Sequence, residues 1–123
     1  MNEQMNWIAL GLLNESSTDF SLYSKDIGLY RVTLNGVIVY IGKATELKNG
    51  GFRKRLRDYT RASSSARNYP SGQLMHHHKD ELEIEILIYE RTLQSVPKIE
   101  IHEKELINQI HPDWNNKDKE QKQ

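Results

Sequence analysis

Two tyrosines, Tyr30 and Tyr40, stand ten residues apart in runs of β-branched and aromatic residues that are typical of strands. A tyrosine hydroxyl can donate or accept a hydrogen bond, and its phenolate can act as a base if nearby positive charge lowers its pKa from about 10. Lys43 follows Tyr40 closely, which favours Tyr40 as the base. A half-buried strand aromatic is the alternative interpretation of either tyrosine alone.

Glu103 is the carboxylate whose position is hardest to explain as ordinary surface. Helical spacing places it on the same apolar face as Ile99 and Leu106, whereas Glu100 and Glu105 lie off that face. A carboxylate on a core-facing stripe is costly unless it is paired or binds a metal. Two interpretations remain: a structural Glu–Arg pair, or a ligand for Mg²⁺ (or Mn²⁺), which takes one or two protein carboxylates and keeps waters.

The helix predicted from Phe52 to Ala62 carries cations on different faces. Arg55 flanks a narrow apolar seam formed with Leu56 and Tyr59, so its planar guanidinium can lie beside the sheet and contact a phosphate. Tyr59, one turn beyond Arg55, can reach the same place. The other cations suit sequence-independent contacts to a DNA backbone, or form an ordinary solvated face. These DNA-binding candidates are Arg53, Lys54, Arg57 and Arg61.

The elements that must position these residues follow the order β-β-α-β-α. Asn35-Gly36 between two apolar runs predicts a hairpin. A two-residue turn would pair Tyr30 with Ile41 and send the two rings to opposite sides of the sheet. A three-residue loop, 34–36, would set Tyr30 directly opposite Tyr40. Because a shared site needs both rings on one side, we predict the three-residue loop.

Turn and capping residues mark the remaining elements. At the start of the chain we predict a short helix over Asn6 to Leu13, followed by a polar stretch from Asn14 to Thr18. After the hairpin we predict a helix opened by Gly50-Gly51 and then a Ser-rich loop from Ser63 to Ser65 that runs on to Pro70 and Gly72. A strand from Leu82 to Tyr89 follows, and the last predicted helix is capped by Ser95, has Pro97 in its first turn and reaches Ile110 before Pro112. Consecutive residues His76 to His78 cannot all point one way, so we interpret them as a solvated loop near DNA rather than a zinc site.

The 123 residues suit one domain, and the absence of cysteine excludes disulfides, thiolate zinc sites and cysteine nucleophiles. No apolar run is long enough to span a membrane, and residues 1–13 lack the basic region of a signal peptide. We therefore expect a cytoplasmic protein. The formal net charge of +0 is the sum of segments that carry opposite charges. Basic residues dominate between Lys43 and Arg67 and acidic residues between Asp80 and Glu105, so one face can attract a polyanion. Two solvated faces are the alternative.

Gly28-Leu29-Tyr30 and Tyr40-Ile41-Gly42-Lys43 resemble the paired motif of the GIY-YIG nuclease family. Arg55-Leu56 and the stretch Glu103 to Ile107, with Pro112 and Asn115 after it, resemble the remaining landmarks of that family in the same order. The resemblance covers about residues 27–116. It departs from the family by about four extra residues, around Lys48 to Phe52, and by Leu29 where Ile or Val is frequent.

The resemblance implies an α+β fold: a small three-stranded antiparallel sheet flanked by helices, here with an extra N-terminal helix. It divides the chain into an N-terminal extension (1–26), the nuclease-like domain (27–116) and a polar, frayed tail (117–123). It also implies cleavage of DNA phosphodiesters with one divalent metal, Mg²⁺ (or Mn²⁺), held by Glu103. The implied catalytic residues are Tyr30, Tyr40, Lys43, Arg55, Tyr59, Glu103 and Asn115. Asn115 would brace the site by hydrogen bonds, although an Asn after a helix is also a common turn residue.

The leading functional hypothesis is a metal-dependent DNA endonuclease. The alternatives are a non-catalytic nucleic-acid-binding module with the same fold, and an interaction protein with segregated charges. Sequence or structure preference would come from the DNA itself, from a homo-oligomer or from a partner protein.

Overall fold

The computed structural model describes residues 6–14, 20–48, 50–61 and 68–121. The fold is α+β, with four antiparallel strands in the spatial order β1-β4-β2-β3. The elements are β1 (Ile8–Leu12), a 3₁₀ turn (Phe20–Tyr23), β2 (Ile27–Leu34), β3 (Val37–Ala44), α1 (Gly51–Arg61), α2 (Pro70–His77), β4 (Glu83–Tyr89), α3 (Ser95–Ile110) and α4 (Asp113–Gln121). None of the helices in these ranges combines the length and the apolar content that crossing a membrane requires.

The first element corrects the predicted three-stranded sheet and its extra N-terminal helix. Residues Ile8–Leu12 form a strand that pairs antiparallel with β4. A short apolar run is ambiguous between helix and strand, and here the open edge of β4 offers backbone hydrogen bonds that a five-residue helix could not replace. A register shift between Ala9 and Gly11 bends the new edge strand.

The hairpin of β2 and β3 differs from the predicted three-residue loop. Asn35 and Gly36 both have positive φ, of 52° and 83°, as in a two-residue type I′ turn. The pairing then shifts between Val32 and Thr33, because β3 carries one extra residue, Val39. This bulge moves the register by one, so that Val32 faces Tyr40 and Tyr30 faces Gly42. Both tyrosines therefore lie on the same face of the sheet, as the site requires, but the cause is a bulge and not the predicted three-residue loop.

The two faces of the sheet carry separate apolar clusters. On one face, Tyr30, Val32 and the β4 residues opposite them pack against α1 and α2 through Phe52 and Met75. On the other face, Ile27 and Leu29 pack against Ile99 of α3. The backbones of β2 and β4 approach closely at Gly28, where a Cβ would come within 1.9 Å of the Leu87 carbonyl oxygen. The first glycine of the motif is therefore required by packing.

Helix boundaries agree with the sequence in the middle of the chain and differ around it. Helix α3 spans Ser95–Ile110 and ends where predicted, but its N-cap is Gln94 rather than the predicted Ser95, which is the first helical residue. Helix α1 spans Gly51–Arg61. The segment after Pro70, predicted to be a loop, is the helix α2, so His76 and His77 lie in its last turn and His78 follows it. The tail predicted to be frayed is helical as far as Gln121. Ala62, Ser63–Ser65, residues 15–18 and residues 122–123 lie outside the described ranges.

Helix α4 is attached to β3 through one side chain. The amide of Asn115 accepts a hydrogen bond from the Ile41 backbone N–H through Oδ1 and donates one to the Ile41 carbonyl through Nδ2, each at 2.9 Å. Because β3 is an edge strand, this amide occupies both backbone groups that Ile41 turns away from β2. Asn115 thus fixes β3 next to Tyr40.

We predict that Asn115→Ala lowers the free energy of unfolding by about 2 kcal/mol, since two partly buried hydrogen bonds are lost at about 1 kcal/mol each. The measurement is urea denaturation followed by circular dichroism. The control is Asn116→Ala, the neighbouring position on the same helix, which should change stability by less than about 0.5 kcal/mol. Equal effects of the two substitutions would contradict the role of Asn115.

Candidate active site

Three tyrosine side chains meet between the sheet and α1. The hydroxyls of Tyr30, on β2, and Tyr59, on α1, are 2.5 Å apart and buried. The ring centroids of Tyr30 lie 6.2 Å from those of both Tyr40 and Tyr59. Tyr40, on the edge strand β3, is partly buried and packs against the same cluster. The cluster therefore has two buried phenols and a third at the rim.

Gly42 makes room for this cluster. A Cβ at residue 42 would come within 2.4 Å of both Cζ and the hydroxyl oxygen of Tyr30. The Tyr30 ring thus lies directly over the Cβ-less backbone of the opposite strand. Gly42, which follows Tyr40-Ile41, is therefore needed for the position of the Tyr30 hydroxyl.

Burial makes all three phenols resist ionisation. Burial raises the pKa of Tyr30 well above 10, and repulsion from Tyr59 and Tyr40 adds to that effect. Burial also raises the pKa of Tyr40 well above its usual value, with Tyr59 and Asp118 contributing, whereas a hydrogen bond with Ser71 opposes the rise. The pKa of Tyr59 is raised by burial, while its hydrogen bond with Tyr30 and the charge of Arg55 act against it. At neutral pH the cluster is uncharged.

Arg55 supplies the positive charge of this face. Its side chain is half-buried on α1, beside the tyrosines. Burial alone would lower the pKa of Arg55, but interactions with Tyr30, Tyr59 and Asp58 outweigh burial and raise it, so the guanidinium stays charged. Within the described ranges none of the ion pairs includes Arg55. A half-buried cation without a carboxylate partner attracts an anion.

Lys43 and Glu103 meet on the other face of β3, against α3. The Lys43 ammonium lies 3.8 Å from a carboxylate oxygen of Glu103 and 3.5 Å from one of Glu100. Lys43 is an odd number of residues from Tyr40, so the two side chains leave the strand on opposite faces. The stabilisation of the Tyr40 phenolate by Lys43 and a metal therefore stays a prediction. Glu103 still adds to the rise in the pKa of Tyr40, because both flank the sheet edge.

The carboxylates around Lys43 fit a hard divalent cation. No cluster of three or more His, Cys, Asp or Glu side chains that would enclose a metal occurs among the described residues. Mg²⁺ needs only one or two protein carboxylates, since waters complete its shell. Glu103, whose side chain is 16% exposed, and Glu100 converge on one cation already. Glu103 is the more buried of the two candidate ligands, and Glu100 is a second candidate that lay off the apolar face of the helix in the sequence analysis.

The four cations proposed to contact DNA lie along α1 in different environments. Lys54 donates a hydrogen bond to Glu46 at 2.9 Å, so its charge is largely compensated. Arg53 and Arg57 are half-buried, and Arg61 is exposed.

Two polar residues near Tyr40 were missed by sequence reasoning. Asp118 accepts hydrogen bonds from the backbone N–H and the hydroxyl of Ser71, at 2.9 and 2.6 Å. Ser71 belonged to a predicted loop and Asp118 to a predicted tail, so only their tertiary contact reveals them. His76 also differs from the predicted solvated loop, since its Nδ1 lies 2.9 Å from the Tyr59 carbonyl oxygen.

Solved structures similar to this chain include the GIY-YIG N-terminal endonuclease domain of UvrC from Thermotoga maritima. Its form bound to magnesium, its catalytic divalent cation, has 28% identity and a TM-score of 0.49, over 76% of this chain and 86% of that chain. An asparagine-to-alanine variant bound to its cation gives the same values. A tyrosine-to-phenylalanine variant has 27% identity with the same coverage and TM-score.

The chain is similar to GIY-YIG endonuclease domains. No protein-family model and no curated protein matches the chain.

The raised pKa of Glu103 leads us to predict that the stability of the folded protein depends on pH. Burial raises its pKa above the usual 4.5, although Lys43 opposes that rise, so the folded state favours the protonated form. This contribution to stability is complete below the unfolded-state pKa and is lost as the pH rises through the folded-state pKa. In chelator at pH 7, Glu103→Gln should therefore have a higher urea midpoint than the unsubstituted protein, and the difference should shrink towards pH 4.

The control for this prediction is Glu105→Gln, an exposed position on the same helix. It should show no comparable pH-dependent difference. A lower urea midpoint for Glu103→Gln at pH 7 would mean that the Lys43 pair outweighs burial.

Proposed function

We propose that this protein is a metal-dependent endonuclease that hydrolyses DNA phosphodiester bonds. The observation that carries the proposal is Arg55, a half-buried guanidinium that forms no ion pair among the described residues and lies close enough to Tyr30, Tyr59 and Tyr40 to interact with them electrostatically. A phosphodiester carries one negative charge and several acceptor oxygens. A charged guanidinium and neutral phenol donors match both properties.

Arg55 acts on the phosphate as the reaction proceeds. Its planar fork binds two oxygens and offsets the charge that develops on them. Tyr30 and Tyr59 share one short hydrogen bond, which fixes the buried donors before substrate arrives. Tyr40, at the rim, contacts the attacking water.

Glu103 would hold Mg²⁺ or Mn²⁺ on the α3 side of the edge strand, and Glu100 would be available as a second oxygen ligand. A metal bound there would supply Lewis-acid chemistry that polarises the phosphate and stabilises the leaving oxygen. Lys43 lies close to both carboxylates and holds them in place electrostatically until the metal is bound. Asn115 fixes the backbone between Tyr40 and Lys43, so it positions both faces of the site.

DNA is the partner that the charge distribution favours. Arg53, Arg57 and Arg61 lie on the same helix as Arg55 and suit contacts to the flanking backbone. Lys54 contributes less to this surface, because Glu46 neutralises it. Such contacts are blind to base sequence, so sequence or structure preference requires another source, such as a second copy of the chain or a partner protein. A cytoplasmic location belongs to the same proposal.

The test is the conversion of supercoiled plasmid to the nicked form in Mg²⁺ or Mn²⁺. We expect the unsubstituted protein to nick the plasmid and EDTA to abolish nicking. Arg55→Ala and Glu103→Ala should each lower the rate by about 100-fold or more, because each removes stabilisation of transition-state charge. The matched control is Glu105→Ala, two residues from Glu103 and exposed, which should retain the full rate.

The alternative, a non-catalytic nucleic-acid-binding module, predicts a different outcome. The protein would then shift DNA in a salt-dependent gel assay without nicking it under any of these conditions. Nicking that survives Glu103→Ala unchanged would indicate a contaminating nuclease and would contradict the proposal.

A further inference from the structure

Lys43 is the side chain on which two carboxylates of α3 converge. Its ammonium lies 3.5 Å from a carboxylate oxygen of Glu100 and 3.8 Å from one of Glu103. Within the described ranges, the ion pairs of both carboxylates are with this one lysine. A single positive charge therefore serves two acidic side chains.

Core packing brings these three charged groups together. Ile99 of α3 packs against Leu29 of β2, and Leu29 pairs with Lys43 of β3. Glu100 follows Ile99 directly, and Glu103 lies three residues beyond Glu100, so the two carboxylates are neighbours on the helix surface. The contact between α3 and the sheet consequently fixes both acids next to the lysine.

Two carboxylates at this spacing need a cation in order to stay ionised. Burial raises the pKa of Glu103, Lys43 opposes that rise, the charge of Glu100 adds to it, and Lys104 opposes it. The side chain of Glu103 is 16% exposed, so water screens its charge less than that of Glu100, which is 46% exposed. Lys43 supplies one positive charge to this pair, whereas a divalent metal ion would supply two.

A divalent cation and the Lys43 ammonium would compete for these carboxylates. Two positive charges held a few ångströms apart repel each other, so one of them has to leave. Lys43 is suited to leaving, because an ammonium is a compact charge on a flexible stem and this side chain is partly exposed to solvent. An arginine, whose planar fork binds a carboxylate through two hydrogen bonds, would be harder to displace.

We propose that Lys43 competes with the divalent cation for Glu100 and Glu103 and thereby limits how tightly the protein binds its metal. This inference rests on the proposed function, because it concerns the metal which that function requires. Metal binding displaces the Lys43 ammonium from both carboxylates, and the free energy of the two broken ion pairs is subtracted from the affinity. Lys43 therefore regulates occupancy of the metal site, in addition to holding its carboxylates in place.

Calorimetric titration of the full chain with Mn²⁺, in the absence of DNA, tests the competition. Lys43→Met removes the charge and adds no oxygen ligand, so we expect it to bind Mn²⁺ about tenfold more tightly than the unsubstituted protein. Lys43→Arg keeps the charge and should bind no more tightly than the unsubstituted protein. The matched control is Lys104→Met, an exposed position of α3 that acts on Glu103 without forming an ion pair with it in the described ranges. It should change the affinity by less than about two-fold.

A second measurement follows Lys43 itself in the unsubstituted protein. The chain is labelled with lysine carrying ¹³C at Cε, and the Lys43 resonance is assigned with Lys43→Arg. Adding Mg²⁺ should shift this resonance in step with occupancy of the site, because the ammonium leaves its two carboxylates. Glu103→Gln should abolish the shift, and the resonance of Lys98, an exposed residue of α3, should not move.

The outcomes separate the two proposals. Metal-dependent nicking by the unsubstituted protein, combined with unchanged or weaker Mn²⁺ binding by folded Lys43→Met, overturns the competition and leaves the proposed function standing. If neither the unsubstituted protein nor Lys43→Met binds Mn²⁺ or nicks DNA, both proposals are overturned. If Lys43→Met does not fold, a Lys43 resonance that stays unmoved when Mg²⁺ saturates the unsubstituted protein overturns the competition.

Discussion

The ring of Tyr30 lies against the bare backbone of Gly42, and the rest of the site depends on this contact. It lets the Tyr30 hydroxyl pass over β3 and meet Tyr59 of α1 at 2.5 Å. The contact exists only because the bulge at Val39 sets Gly42 opposite Tyr30. Without the bulge a side chain would face Tyr30, and Tyr40 would leave the sheet on the other face. The turn, the bulge at Val39, Gly42 and the two tyrosines therefore depend on one another, and the site needs all of them in these positions.

In the function we propose, the position of β3 at the edge of the sheet is what lets groups on both faces of the strand serve one site. Tyr40 and Lys43 leave this strand on opposite faces, the first towards the phenol cluster and the second towards the carboxylates of α3. In a central strand the sheet would separate them, whereas at an edge both can approach one phosphate. The net charge of +0 is compatible with this arrangement, because unpaired positive charge at Arg55 matters locally more than the total.

The elements whose local sequence patterns are strong could be predicted from the sequence. Asn35-Gly36 indicated the hairpin, and Pro97 and Pro112 located the first turn and the end of α3, although its N-cap is Gln94 and not Ser95. The strand β1 could not be predicted, because five apolar residues take their conformation from the free edge of β4. No pattern of residue types marks the bulge at Val39, so the sequence could not predict it. The prediction that both tyrosines lie on the same face of the sheet was nevertheless correct. Ser71 and Asp118 became visible only through contacts between helices distant in sequence.

The central feature of the proposed function is a DNA phosphate bound between Arg55 and the tyrosine hydroxyls. A crystal structure of the Glu103→Gln variant with a short DNA duplex tests this most directly, since the variant keeps the phosphate pocket while slowing cleavage. We predict a backbone phosphate within hydrogen-bonding distance of the Arg55 guanidinium and of at least one hydroxyl among Tyr30, Tyr40 and Tyr59. DNA bound on another surface, with Arg55 facing solvent or a carboxylate, would contradict this binding site.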